Sequence, residues 1–318
     1  MGAKLELMRP TRVLTWHVHG SYLYYLTQAR CEFYLPVQPG HYSGRTPGYP
    51  WGENVFEVPA GEVGGLELDC VLFQSRRNYL QDQFETLSKA QRQLPRVYLE
   101  HDPPREHPTD TAHVVDDPEM LLVHVTHFND LMWDSGRTPT RVIEHGVRVP
   151  EGARYTGELA RGLVVINNLQ SRGRRLGADL FGRARQEVPL DLMGIGAHTL
   201  GGVASLSLDE LWTAGGRYRF FFNPIRYTSL GLAVCEAMTV GLPIVGLATT
   251  EMATAIENGR SGYVSTDLRV VIGRAKELLA DPEAARRLGA GAREVALARF
   301  GIERFCRDWE DTFAGVNG

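Results

Sequence analysis

Residues 224–246 read PIRYTSLGLAVCEAMTVGLPIVG, and how this stretch folds decides the rest. Just before it, residues 218–222 (YRFFF) form a short aromatic run suited to a buried parallel strand, and residues 243–246 open another. One helix fits between the two strands. Thr228 and Ser229 offer N-cap hydroxyls, and Gly231 allows the backbone to approach a ligand. Leu232, Val234, Cys235, Ala237 and Met238 give the helix a mostly apolar body, with the single carboxylate of Glu236 inside it. The unpaired amides of Ser229, Leu230, Gly231 and Leu232, at the positive end of the helix dipole, would make an anion site suited to phosphate. Glu236 lies about two turns further on, within reach of a sugar hydroxyl attached to that phosphate. On the residues alone, the alternative is an ordinary strand-helix-strand unit whose buried Glu is paired internally.

Outward from this stretch, the 318 residues predict two domains of about 150 residues each. With 43% hydrophobic and 23% charged residues, each half can bury a core. A formal net charge of −4 and the lack of a long basic run argue against a protein that coats nucleic acid. Cys31, Cys70, Cys235 and Cys306 are scattered without a CxxC pair, as expected of reduced, buried thiols in a cytoplasmic protein. The start, MGAKLELMRPTRVL, lacks the apolar core of a signal peptide, and no apolar run is long enough to span a bilayer. The expected location is therefore the cytosol, including peripheral contact with a membrane face.

In chain order, residues 12–18 (RVLTWHV) predict a first strand ending in a loop with His17, His19, Gly20 and Ser21. Such a loop is where a doubly wound domain places ligands. Two imidazoles without a third ligand nearby fit polar strand-end residues better than a metal site. Residues 36–65 are rich in Pro, Gly and Tyr and predict an irregular excursion, whose Tyr42, Tyr49 and Trp51 either stack on a sugar ring or pack the loop down. After a strand at 69–74, the segment to Leu94 predicts a helix with Tyr79, Leu80, Phe84 and Leu87 on one side. Its Arg76, Arg77, Lys89 and Arg92 suit either anionic lipid or a solvated face. Residues 96–99 form a strand that delivers Glu100, His101, Asp102, Pro103, Pro104 and Arg105 to its carboxyl end, and residues 121–125 form the next.

The second half restarts at residues 162–166 (GLVVI), followed by Arg172, Gly173, Arg174 and Arg175. Clustered guanidiniums in a glycine-containing loop suit a diphosphate, because their planar forks bind phosphate oxygens in pairs. Residues 191–194 predict a strand, Ser207 caps a short helix, and Tyr263 and Val264 mark a last strand. Helices follow from Leu268, from Pro282 and over 302–313, the last carrying Phe305, Trp309 and Phe313 at helical spacing. No Asp-x-Asp pair occurs, so no metal site is expected to hold a diphosphate.

The central stretch resembles the donor-binding signature of the family 4 glycosyltransferases of the GT-B fold, E-x7-E, often seen as EGFGLxxxEAMAxGxPVV. SLGLAVCEAMTVGLPIVG matches it in spacing and in Gly231, Glu236, Ala237, Met238, Gly241 and Pro243, with Thr228 where the pattern has its first glutamate. Residues 141–149 resemble the segment that ends the first domain of these enzymes. Where the family has Gly-Arg and then Lys-Gly, this chain has Asn167 and Asn168 and then the displaced arginines.

The resemblance implies an α/β GT-B fold, two doubly wound Rossmann-like domains facing a cleft. Residues 1–150 would be the acceptor side, 151–300 the nucleotide-sugar donor side, and 301–318 a helix crossing back to the first domain. It implies a retaining, metal-independent transferase that moves a sugar from a UDP- or GDP-sugar to a glycan, lipid-linked or small-molecule acceptor, with no cofactor. Arg172, Arg174 and Arg175 would hold the diphosphate with the amides of Ser229, Leu230, Gly231 and Leu232. Glu236 would bind the ribose, Thr228 and His101 the transferred sugar, and Gly20 and Ser21 would face the donor. Two alternatives stand beside this: a nucleotide-sugar epimerase of related fold, and a non-catalytic sugar-nucleotide or glycan-binding protein.

Overall fold

Two separate sheets, of eight and of five strands, come from the first and second halves of the chain. The structure is a computed structural model that describes residues 9–203 and 206–316, so residues 1–8, where the reading of the leader falls, lie outside the described residues. The first sheet contains β1 (Thr11–Thr15), β2 (Cys31–Gln38), β3 (Tyr42–Ser43), β4 (Val55–Pro59), β5 (Cys70–Phe73), β6 (Arg96–Glu100), β7 (Met120–His124) and β8 (Thr140–Val142). Its order is β3-β2-β1-β5-β6-β7-β8, with β4 also on β2, and every pairing except β2 with β3 is parallel. The second contains β9 (Leu159–Val165), β10 (Leu190–Met193), β11 (Tyr218–Asn223), β12 (Ile244–Leu247) and β13 (Gly262–Ser265), all parallel, in the order β10-β9-β11-β12-β13.

Each sheet has a switch point, where successive connections leave toward opposite edges. In the first it falls between β1 and β5, in the second between β9 and β11. Loops diverge at the carboxyl ends of such strands and open a crevice, the usual ligand position in this architecture. All six residues of β11 are buried, as its continuous aromatic run requires. The one cation among them, Arg219, is neutralised in its need for partners by the carbonyls of Gly157 (2.7 Å) and Leu279 (3.0 Å).

The last helix, Ile302–Val316, returns to the first half and buries Phe305, Trp309 and Phe313. Phe305 meets the Tyr22 ring edge-on at 5.5 Å, Phe313 lies 6.4 Å from Phe33, and Trp309 Nε1 donates to the Tyr22 hydroxyl at 3.3 Å. A Cβ on Gly146 would run into Phe305, so the helix approaches the chain here only because residue 146 has no side chain. Beside it, Arg299 donates to Glu144 (2.7 Å) and Glu251 (2.7 Å), one carboxylate from each half.

Three local expectations are corrected. The 36–65 excursion carries the end of β2 and two further strands, because its Pro and Gly residues punctuate short edge strands rather than abolish them. The helical segment after β5 ends at Thr86, where Leu87 turns extended. Finally, Thr228 and Ser229 do not cap the central helix. That helix runs Leu232–Val240 with Gly231 as its extended N-cap and no side-chain cap.

Candidate functional site

At the switch point of the second sheet, the loops after β9 and β11 are pressed together. Gly177 has φ +82°, and a Cβ there would also run into the Pro224 carbonyl, so both backbone conformation and space demand glycine. Backbone amides of Arg226 and Tyr227 donate to the Arg175 carbonyl at 3.0 and 3.2 Å. The Arg226 guanidinium grips Asp179 with two bonds of 2.6 and 2.7 Å and holds its carboxyl down at about 2. Gly231 contrasts with Gly177: its φ of −69° is ordinary, and a Cβ there would meet nothing within 4 Å. The start of the Leu232–Val240 helix therefore faces open space. Among the described residues, no acceptor meets the amides of Leu230 and Gly231.

The predicted cations divide by partner. Arg174 is tied to Asp179 at 2.8 Å and is mostly exposed. Arg172 and Arg175, among the described residues, have no carboxylate within salt-bridge distance. Burial lowers the pKa of Arg175, and the charges of Arg105 and Arg172 push it the same way. Arg105, from the opposite half, carried no motif signal; only the folded cleft brings it beside the other two.

Glu236 is 4% exposed, and both its oxygens are engaged: Tyr25 Oη donates to Oε1 at 2.6 Å and Trp212 Nε1 to Oε2 at 3.0 Å. Tyr25 belongs to the first half, on the helix Gly20–Leu26, and Trp212 to the helix Leu208–Gly215. Burial raises the Glu236 pKa, while these two hydrogen bonds oppose the rise. Thr228 is half-buried and makes no hydrogen bond among the described residues. The sequence reading found Glu236 but missed both partners, since nothing in residues 20–26 or 207–215 signals a contact so distant in the chain.

Across the cleft, His101 stands at the end of β6. It meets His19 at 4.4 Å and Tyr22 at 4.8 Å between ring centres, and its Nε2 donates to Gln74 Oε1 at 3.1 Å. The Gln74 amide donates to Thr15 and to the Trp16 carbonyl, which turns its oxygen toward the imidazole. Burial first, then His19 and His145, hold the His101 pKa well below its usual value, so the ring is neutral at pH 7. Gly20 and Ser21 are partly covered: the Gly20 Cα faces His17, Tyr49 and Thr46, and the Ser21 hydroxyl pairs with that of Tyr49 at 2.7 Å. Tyr49 also stacks on Tyr24, and Trp51 Nε1 donates to Thr46, so these aromatics pack the excursion down. Tyr42 instead donates to Asp82.

His41, Asp82 and Glu85 could converge on a metal ion, but Arg77 donates to Asp82 and lies at 3.0 Å from the His41 ring, which makes the cluster an ion-pair network. Two surface hollows, of about 500 Å³ beside Cys31 and Phe56 and about 340 Å³ beneath Val316, are remote from the junction. No helix among the described residues is long and apolar enough to cross a membrane.

Fold and crevice together define a GT-B architecture, two Rossmann-like domains with their switch points facing each other. A profile of the family described as Glycosyl transferases group 1 matches residues 180–281, which include β11, the central helix and β12. N-acetyl-alpha-D-glucosaminyl L-malate synthase of Bacillus anthracis is 32% identical over 90 residues, 28% of this chain and 24% of the relative. The match thus spans about a quarter of that protein's length. Among solved structures, a sucrose-phosphate synthase from Thermosynechococcus elongatus superposes with a TM-score of 0.67 at 14% identity, covering 96% of this chain and 99% of that one. Anabaena Alr3699/HepE in complex with UDP-glucose superposes with a TM-score of 0.67 at 13% identity, covering 95% and 99%. At such identities the likeness is one of fold.

Proposed function

We propose that the protein is a glycosyltransferase that moves a sugar from a nucleoside-diphosphate sugar, a UDP- or GDP-sugar, to a glycan, lipid-linked or small-molecule acceptor. One observation carries this reading: at the switch point of the sheet an uncapped helix start opens at Gly231 onto empty space, its loop is tied to the Arg175 carbonyl, and among the described residues Arg172 and Arg175 have no carboxylate within salt-bridge distance. Amide dipoles and fixed cations there meet the charge that grows on a departing diphosphate. No metal is needed in this account. The family match over residues 180–281 and the UDP-glucose bound by the Anabaena relative support the choice of donor.

Within this reading the family 4 roles carry over to this chain. Arg172, Arg174 and Arg175 hold the diphosphate with the amides of Ser229, Leu230, Gly231 and Leu232. Glu236 takes the ribose, which must share or displace the Tyr25 hydroxyl. Thr228 and neutral His101 contact the transferred sugar, whose anomeric configuration is retained, while Gly20 and Ser21 line the far wall. The first half takes the acceptor, and the enzyme works in the cytosol, where peripheral contact with a membrane face is open to it.

Melting temperatures against a panel of nucleotide sugars test the proposal, because a ligand that binds only the folded state raises apparent stability by mass action. One donor should stabilise the protein and then be turned over with an acceptor; a flat panel contradicts the proposal. A second reading, a non-catalytic sugar-nucleotide-binding protein, is favoured by the sealed Glu236 and by Thr228 in place of an acid. Donor binding without turnover across an acceptor panel would select it.

A further inference from the structure

Arg105 is a cation of the cleft that no sequence pattern assigns, and three contacts fix where its loop sits. Its loop leaves β6 through the buried Pro103 and Pro104, and Trp133 Nε1 donates to the Asp102 carbonyl at 2.8 Å. The Tyr227 hydroxyl of the second half donates to the Pro104 carbonyl at 2.8 Å. The amide of that same Tyr227 donates to the Arg175 carbonyl at 3.2 Å. A single tyrosine thus ties the residue before Arg105 to Arg175. Three guanidiniums, Arg105, Arg172 and Arg175, gather here; Asp102 accepts from Arg105, and among the described residues the other two have no carboxylate within salt-bridge distance.

We infer that Arg105 reaches across the cleft as a further guanidinium for the donor's diphosphate, and that Asp102 holds it in place until that anion arrives. The inference rests on the transferase reading and names a residue that reading lacks. Transfer breaks the anomeric C–O bond to the diphosphate while the acceptor's hydroxyl oxygen bonds that carbon and releases its proton to solvent; the electron pair of the broken bond leaves with the bridging oxygen, so the diphosphate gains one negative charge. In the empty cleft the Asp102 carboxylate offsets one of the three cations. A guanidinium that exchanges Asp102 for phosphate oxygen raises the positive charge facing the anion as that anion gains charge. Arg105 therefore contributes more to binding of the released nucleoside diphosphate than to binding of the intact donor.

Titration calorimetry of the full chain with UDP and GDP, and with the donor found by the stability panel, provides the test. Arg105→Gln should weaken nucleoside diphosphate binding by about tenfold or more, with a smaller loss for the intact donor and an unchanged melting temperature. Arg105→Lys should recover part of it, and Asp102→Asn should bind at least as tightly as the parent protein. If Arg105→Gln binds the diphosphate like the parent, or if Arg105→Gln and Asp102→Asn lose affinity and stability alike, the pair is only structural and the inference fails. Parent protein that binds neither nucleotide overturns the transferase reading itself, a result separable from either.

Discussion

The hydroxyl of Tyr25, in the first half of the chain, donates to Oε1 of Glu236, in the second, at 2.6 Å. Trp212 donates to the other oxygen at 3.0 Å, so one buried carboxylate both joins the two halves and stands at the back of the cleft.

Loss of one partner should be felt in stability. Tyr25→Phe leaves a buried carboxylate oxygen without its donor and should destabilise the protein by about 1–3 kcal/mol, measured by urea unfolding. If the ribose displaces Tyr25, the same variant should bind nucleoside diphosphate as tightly as the parent or more so. Glu236→Gln keeps shape and can still bond both neighbours, since a tyrosine hydroxyl also accepts. Its unfolding midpoint should stay near that of the parent while ribose-dependent affinity falls.

Gly231 provides a test in which folding and binding separate. Its φ suits any residue, and a Cβ meets nothing, so Gly231→Val should melt like the parent. The added side chain would project into the proposed phosphate space, and nucleotide binding by calorimetry should drop out. Retained binding would mean that the ligand lies elsewhere.

Gly177 should behave in the opposite way. With φ +82° and the Pro224 carbonyl against it, Gly177→Ala forces the two site loops apart. A loss on the order of 1–3 kcal/mol is expected from backbone strain alone, read as a lower melting temperature.

Acid should weaken the fold through buried imidazoles. Burial brings His124 and His145 down to about 4, against weaker opposing effects of Asp130 on the first and of the Leu230 carbonyl on the second. Because the folded pKa lies below the unfolded value of 6.5, this stability is complete above pH 6.5 and is lost as pH falls toward 4. Each could cost on the order of 3 kcal/mol at most. Among the described residues His124 makes no hydrogen bond, with Asp130 3.7 Å away. His124→Leu should therefore be no less stable at pH 7, and its unfolding free energy should decline less between pH 6.5 and pH 4.

Local signals carried far in this chain. The aromatic run of β11, the glycine and apolar spacing of residues 231–246, and the Phe305, Trp309, Phe313 stripe each report a buried face by periodicity, and each forms the expected element. What stayed hidden depends on pairing distant segments. β3 and β4 hide among turn residues because edge strands need few apolar positions. Likewise, Thr228 and Ser229 look like caps, but the close packing of the two loops at Gly177 delays the helix to Leu232. Tyr25, Trp212 and Arg105 enter the site only through tertiary contacts, which no short motif encodes.

Calorimetric titration of nucleoside diphosphate into the parent protein and into an Arg172→Ala/Arg175→Ala double variant tests the central claim most directly. Among the described residues neither guanidinium has an ion-pair partner to lose, so the double variant should fold normally. The account predicts binding to the parent and a loss of at least tenfold in the variant. Equal affinity for both proteins would contradict it.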